Sequence, residues 1–284
     1  MLLRFINKIK RNKTRVFLAV STVLFVILFT NLPLGFSNII HASQIVRIDE
    51  NGTTFYKSTL NEEEVEYQND YSESKSDEPT EFETIISKKI NAFNPDDSLL
   101  ILVNKDNPLT GDVECELVDY CGFDVDVRIY DSLKNMFDDA LKDGVRLSMA
   151  SGYRNYNTQK YLYDKKVGYF KRLGYSQAEA ENEASRRVTP PLTSEHETGL
   201  AVDILSENYK TMDSDFGNTD AGIWLKEHCF EYGFILRYPE GKEDITQIQY
   251  EPWHFRYVGK DAAEFIYINN LTFEEFIEMV KENQ

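Results

Sequence analysis

An α+β domain, reached through an N-terminal apolar span and a polar spacer, is the architecture this sequence predicts. Helical spacing recurs at 129–141 and 221–232, where apolar residues return every three or four positions. Strand-like runs of apolar or alternating residues stand at 98–103, 145–149, 201–205, 234–238 and 248–257. A break in composition near Asp96 separates these elements from a polar, charged stretch before them.

The chain has 284 residues, 42% of them hydrophobic, which is enough for one well-packed domain plus extensions. Residues 1–15 form a basic tail with Arg4, Lys8, Lys10, Arg11, Lys13 and Arg15, and 16–36 is an almost uninterrupted apolar run. About 20 residues span a bilayer as a helix, and a basic flank stays on the cytoplasmic side. The run is longer than the roughly 7 to 15 apolar residues of a cleaved signal peptide, and Ile40, His41 and Ala42 make a poor cleavage site. The expectation is a single-pass membrane anchor at 16–36 with the N-terminus cytoplasmic. An extracellular linker follows at 37–95 and a catalytic domain at 96–284. The linker is rich in Glu, Ser, Asp, Asn and Lys and reads as a flexible spacer, with local pairing expected around 45–48.

The net charge is −17, and no Asp or Glu precedes Asp49, so removing the six positive charges of the tail leaves −23 on the rest. Such a field excludes a nucleic-acid partner, whose phosphates need Lys and Arg. Three cysteines are too few for a disulfide framework. Cys115 and Cys121 either close a small loop or stay as thiols, and Cys229 falls on the apolar face of a helix as a packed thiol.

Within the domain, 98–103 has the length of a strand. Ile129, Leu133, Met136, Phe137, Ala140 and Leu141 then mark one face of a helix that Gly144 stops. Val145, Leu147 and Met149 alternate with Arg146 and Ser148 in a half-buried strand that delivers Arg154 just past its end. Ser176 and Glu179 form a capping box opening a helix that runs to about Arg187, with Pro190 and Pro191 beyond it. A buried strand is expected at 201–205, with Gly199 permitting a close approach or an unusual dihedral before it. The helix at 221–232 is stopped by Gly233. It makes His228 a packed or partly exposed helix residue and not a ligand. The runs 234–238 and 248–257 read as a hairpin joined by the polar turn 239–244, and Thr272 with Glu275 caps a final helix with Phe273, Phe276, Ile277 and Val280 inward.

The chemistry concentrates at 193–205 and 250–257. His196 and Asp203 stand in otherwise small or apolar surroundings, and a carboxylate among apolar neighbours must be paired or must coordinate a metal. Imidazole and carboxylate suit zinc, whose catalytic sites take three protein ligands and leave one position open. His254 supplies the third ligand, and Glu251, three residues earlier, supplies a general base. Zinc polarises a scissile carbonyl and lowers the pKa of its water to about 7. Strict alternation would put Glu251 and His254 on opposite faces of a strand, so the chain must bend near Pro252, which has no N–H for a ladder.

Ser194, His196 and Asp203, followed by Glu251, Trp253 and His254, resemble the zinc D-alanyl-D-alanine carboxypeptidases of the VanY-like type. Ser151 to Arg154 with Gln159, the run 224–239 and the stretch 256–259 follow the same pattern in the same order, from about Asp96 onward. The resemblance implies a small, mainly antiparallel sheet with helices on one side and at its ends, the fold shared by DD-carboxypeptidases and Hedgehog proteins. It implies Zn2+ as cofactor, peptidoglycan stem peptides as partners, and removal of a C-terminal D-alanine. It also implies that Arg154, Gln159, Ser194 and Tyr153 bind substrate, with Arg154 on the terminal carboxylate or a developing oxyanion. Two alternatives share the fold: an LD-carboxypeptidase acting on tetrapeptide stems, and a wall-binding module without catalysis, against which the intact Glu251 and ligands argue.

Overall fold

The structure, a computed structural model, describes residues 89–111 and 113–283, together with the backbones of three short strands upstream. Those strands, β1 (Ile45–Ile48), β2 (Thr54–Lys57) and β3 (Glu64–Tyr67), form an antiparallel sheet of their own in the order β1-β2-β3. The local pairing expected around 45–48 is therefore present, and the stretch expected as a plain spacer contains a three-stranded ladder. The basic tail at 1–15, the apolar run at 16–36 and most of 37–88 lie outside the described residues. Among the described residues no helix is long and apolar enough to cross a membrane.

The first strands of the domain, β4 (Leu117–Tyr120) and β5 (Phe123–Asp126), form a hairpin. Cys121 and Gly122 make its two-residue turn, both with positive φ, as the twist of a tight hairpin demands. Asp126 ends β5 and caps the next helix, α1 (Val127–Lys142), accepting from the Arg128 N–H at 2.9 Å. Then come β6 (Leu147–Ser151), α2 (Tyr156–Arg172) and α3 (Gln177–Ser185), the last opened by the expected capping box. After β7 (Ala201–Ser206) and α4 (Asp220–His228), β8 (Phe234–Leu236), the single turn α5 (Glu243–Thr246) and β9 (His254–Tyr257) complete the sheet. Helices α6 (Lys260–Ile268) and α7 (Phe273–Glu282) close the chain, α7 again with its capping box.

Strands pair in the order β6-β7-β9-β8, every neighbour antiparallel. Because side chains alternate across a strand, the register sorts the sheet into two faces. Met149 pairs with Ile204, Val202 with Phe255, Leu236 with Phe255 and Phe234 with Tyr257. This apolar face packs under Ile129, Leu133, Met136 and Ala140 of α1 and Ala221, Trp224 and Leu225 of α4. The opposite face carries the pairs Ser151 with Asp203, Asp203 with His254, and Ala201 with Arg256. Helix α7 lies against the arginine end of that face, its Phe273 ring 5.1 Å from the Arg256 guanidinium and 5.4 Å from that of Arg237. One face is thus hydrophobic core, and the other carries the buried charges Asp203, His254 and Arg256.

Three expectations need correction. The run 98–103 is a 3-10 turn, Ser98–Leu100, followed by irregular chain, because Asp97 caps it by accepting from the Leu99 N–H. Its carbonyls serve a side chain instead of a ladder: Leu99 O and Ile101 O accept from Arg256 Nη2 at 3.0 and 2.9 Å. The strands β8 and β9 do pair, but 248–253 is no strand and α5 sits in the connection, so the hairpin is wide. Packing begins before Asp96, since Ile90 is buried and the Phe93 ring meets Phe265 and Phe276 edge-on. Cys115 and Cys121 are free thiols, and Cys229 is buried as expected. The hairpin β4–β5 and the helix α2 were not anticipated.

Candidate metal centre

The three expected ligands meet. One ligand atom from each of His196, Asp203 and His254 lies within 4.8 Å of the others, and all three residues are buried. The register makes this so: Asp203 and His254 are directly opposite across β7 and β9, on the polar face. His196 arrives from the 3-10 turn Glu195–Thr198, which ends at Gly199 with φ 72°. A Cβ at Gly199 would stand 3.1 Å from both the Cβ and the backbone nitrogen of Asp126, so close approach and left-handed backbone both apply there, as anticipated. The approach is bonded, because Asp126 donates its N–H to Gly199 O at 3.0 Å.

His196 Nδ1 sits 2.7 Å from Gly152 O, which accepts its proton and leaves Nε2 as the lone-pair nitrogen. That Nε2 is buried with no hydrogen-bond partner, 3.3 Å from Asp203 Oδ2. Around a tetrahedral zinc with bonds near 2.1 Å, neighbouring ligand atoms stand about 3.4 Å apart. His254 Nδ1 is 3.1 Å from Asp203 Oδ1, and the two imidazoles cross at 78° with centroids 4.9 Å apart. The orphaned nitrogen, the donor set and the spacing fit a zinc ion.

The electrostatics divide the two histidines. Burial, with Arg154 beside it, pushes His196 down to about 4, so it is a neutral ligand. Burial also opposes charge on His254, but Asp203 and Glu195 outweigh it and raise it to about 9. Asp203 is held far below the usual carboxylate range by the histidines despite its burial. Glu251 behaves oppositely: burial pushes it up to about 8, while His254 and Arg154 pull it down. A carboxyl raised toward neutrality in a buried site is suited to general acid–base work.

Glu251 is not on the strand. The chain turns at 251–253, with the His254 N–H donating to Glu251 O and the Glu251 N–H to Tyr238 O, both at 3.2 Å. This is the bend expected near Pro252, and it frees Glu251 from strand alternation. Trp253 packs in the core. Arg154 follows β6, its backbone N–H on His196 O at 3.1 Å and its Nη2 3.9 Å from Asp203 Oδ2. Its Nε is buried without a hydrogen-bond partner among the described residues. Ser194 is buried and makes no side-chain cap. Gln159, on α2, donates from Nε2 to Thr189 O at 2.6 Å, tying the helix to the segment before the ligands; its Oε1 is buried without a hydrogen-bond partner. Tyr153 is half-buried, with its backbone N–H on Asp124 O at 2.7 Å. His228 is away from the metal position, paired with Glu231 at 2.9 Å.

Glu195, Arg237, Arg256 and Glu274 were missed as site residues. Arg237 Nε donates to Glu195 Oε1 at 2.7 Å, and its two terminal nitrogens grip Glu274 at 2.8 and 2.6 Å. Arg256 Nη1 stands 3.1 Å from the same Glu195 oxygen. Burial opposes charge on Glu195, but the two arginines hold it well below the usual carboxylate range. The signal was available: each arginine interrupts an apolar strand run, and a charge in such a place requires a partner.

Comparison with known proteins agrees with this geometry. A family model described as VanY, D-alanyl-D-alanine carboxypeptidase, matches residues 123–260. A D-alanyl-D-alanine carboxypeptidase of Enterococcus faecalis (strain ATCC 700802 / V583) is 43% identical over 183 residues, 64% of this chain and 66% of that one. Among solved structures, a mutant of the vancomycin-resistance D,D-pentapeptidase VanY from a VanB-type resistance cassette, in complex with Zn(II), is 42% identical with a TM-score of 0.57, covering 62% of this chain and 97% of that one. VanYB in complex with D-alanine-D-alanine is 43% identical with a TM-score of 0.59, covering 63% and 97%.

Proposed function

The chain belongs to the VanY D-alanyl-D-alanine carboxypeptidase family, and on that premise we propose how its own residues carry out the cleavage. It is a zinc D-alanyl-D-alanine carboxypeptidase, hydrolysing the bond before a C-terminal D-alanine. The observation that carries the mechanism is the register pair of Asp203 and His254, beside which His196 presents a buried nitrogen with no partner.

His196, Asp203 and His254 hold the zinc, which supplies a Lewis acid that polarises the scissile carbonyl and acidifies water at the site. Gly152 O fixes the His196 tautomer. Glu251 takes the proton of the attacking water and returns it to the leaving amine; burial keeps its affinity for that proton high enough to accept it. Arg154 faces the substrate's terminal carboxylate through its unpaired Nε and its outer nitrogens, and Ser194, Gln159 and Tyr153 line the approach. The substrate is the stem peptide of peptidoglycan, with water as acceptor, and the pentapeptide ending in two D-alanines is its preferred form.

The site would then work outside the cell membrane, with 16–36 as its anchor; the length of that run and the basic tail before it support this. Membrane fractionation returning only a soluble product that lacks 1–42 would count against the anchor. To test the activity, the purified full chain is incubated with pentapeptide and tetrapeptide stems and D-alanine release is followed by mass spectrometry. Release from the pentapeptide, abolished by a chelator and restored by zinc, is expected. Activity on the tetrapeptide alone would favour the LD-carboxypeptidase reading, and release indifferent to the chelator would sink the metal mechanism.

A further inference from the structure

Ending on the ligand His254 is a largely buried charged chain whose other members have no part in the cleavage. It runs from α7 inward: Glu274, Arg237, Glu195, His254. Asn104 Nδ2 steadies the outer end by donating to Glu274 Oε1 at 3.1 Å. Arg237 is fully buried and divides its guanidinium between Glu274 and Glu195. Arg256, also fully buried, is pinned by the carbonyls of Leu99, Ile101 and Tyr257, so its position on Glu195 is not adjustable. Two cations and two carboxylates balance, which is the condition for burying them at all.

The inner end points at a metal ligand. Both arginines address Glu195 Oε1, leaving Oε2 buried with no hydrogen-bond partner. It stands 3.5 Å from His254 Nε2, an atom equally buried and equally without a hydrogen-bond partner. Two orphaned polar atoms that face each other in a dry interior have only each other to satisfy. His254 Nδ1 is on the Asp203 side, 3.1 Å from Oδ1. With the proton kept on Nε2 by Glu195, the lone pair lies on Nδ1, toward the metal position. Tyr238 limits rotation of the ring, its own ring 4.9 Å from that of His254.

We propose that Glu195 is a positioning residue which, clamped by Arg237 and Arg256 and through Arg237 by Glu274 of α7, fixes His254 with Nδ1 toward the metal and so makes metal affinity depend on the C-terminal helix. The inference rests on the metal-site assignment above. A carboxylate behind a metal-bound imidazole typically changes affinity about 10- to 100-fold when lost. The distal carboxylate acts through one more ion pair, so its loss has the same sign and a smaller size.

The test measures zinc affinity by competition with a chromogenic chelator in the full chain, for wild type, His254→Ala, Glu195→Gln and Glu274→Gln. The visible absorption of the Co(II)-substituted proteins is recorded alongside, as is thermal melting without metal. Glu195→Gln should weaken zinc binding by about 10- to 100-fold and change the Co(II) bands, and Glu274→Gln should weaken it by a few-fold. A purely structural role would lower the metal-free melting temperature and leave affinity and Co(II) spectrum at wild-type values; that result overturns the proposal. If Glu195→Gln does not fold, Glu274→Gln decides alone, and unchanged affinity there also overturns it. Failure of the wild type to bind zinc, or normal binding by His254→Ala, would instead refute the ligand set on which the inference stands.

Discussion

Replacing Arg154 by lysine separates charge from shape at the point where the substrate ends. Arg154 is largely buried, with 17% of its side chain exposed, and its nearest carboxylate oxygen, Asp203 Oδ2, is 3.9 Å away, beyond hydrogen-bond reach. Its Nε has no hydrogen-bond partner and its backbone N–H holds His196 O whatever the side chain. The substitution therefore keeps a positive charge near Asp203 and leaves the backbone hydrogen bond to His196 O in place. What it removes is the planar fork that meets a carboxylate with two parallel bonds. Loss of one such contact in a preorganised site costs about 2 to 4 kcal/mol, or roughly 30- to 1000-fold in kcat/KM. The assay is D-alanine release from stems with free and with amidated C-termini, with zinc content measured in parallel. Wild type should discriminate strongly between the two ends, and Arg154→Lys weakly, with zinc unchanged. Equal cleavage of both ends by the wild type would refute the reasoning, because Arg154 would then not read the terminus and an endopeptidase would be favoured.

Glu251→Gln keeps the shape of the base but cannot accept a proton. Turnover should fall by roughly a hundred- to ten-thousand-fold with zinc retained, whereas alanine at His196 or Asp203 should lose the metal too; near-normal turnover in Glu251→Gln would remove it as the base. Gly199→Ala forces a side chain into left-handed backbone at about 1 to 2 kcal/mol and drives its Cβ onto Asp126. With about 2 to 4 °C lost per kcal/mol in a domain of this size, the melting temperature should drop by several degrees, and an unchanged value would mean that the β5 end moves aside freely.

The ligands were legible because each carries its own contradiction. Asp203 is a charge in an apolar strand, and His196 and Glu251 are dense polar chemistry beside glycine and proline. The bend at Pro252 was legible for the same reason, since two residues three apart cannot share a strand face. Both capping boxes were legible because they are local. Arg237 and Arg256 carried the same contradiction as Asp203, yet Glu274 is 37 residues from Arg237 and Leu99 is 157 from Arg256, and no local pattern names Glu274 or the Leu99 carbonyl. The run 98–103 looked like a strand because its apolar residues are contiguous, but Asp97 offers a competing cap and Arg256 takes the carbonyls. Helix α2 was hidden by its composition: only Gln159, Val167 and Phe170 are buried along it, and a polar residue among so few anchors obscures the period.

The pairing of Asp203 with His254 has a consequence for how the domain assembles. A slip of one residue between β7 and β9 would bring Phe255 or Trp253 beside Asp203 and turn His254 into the apolar layer under α1. A mispaired sheet then has no place for the ion, whereas the native ladder has one, and the free energy of binding is added to that ladder alone. Zinc would thereby favour, among possible strand alignments, the registry in which Asp203 and His254 stand side by side.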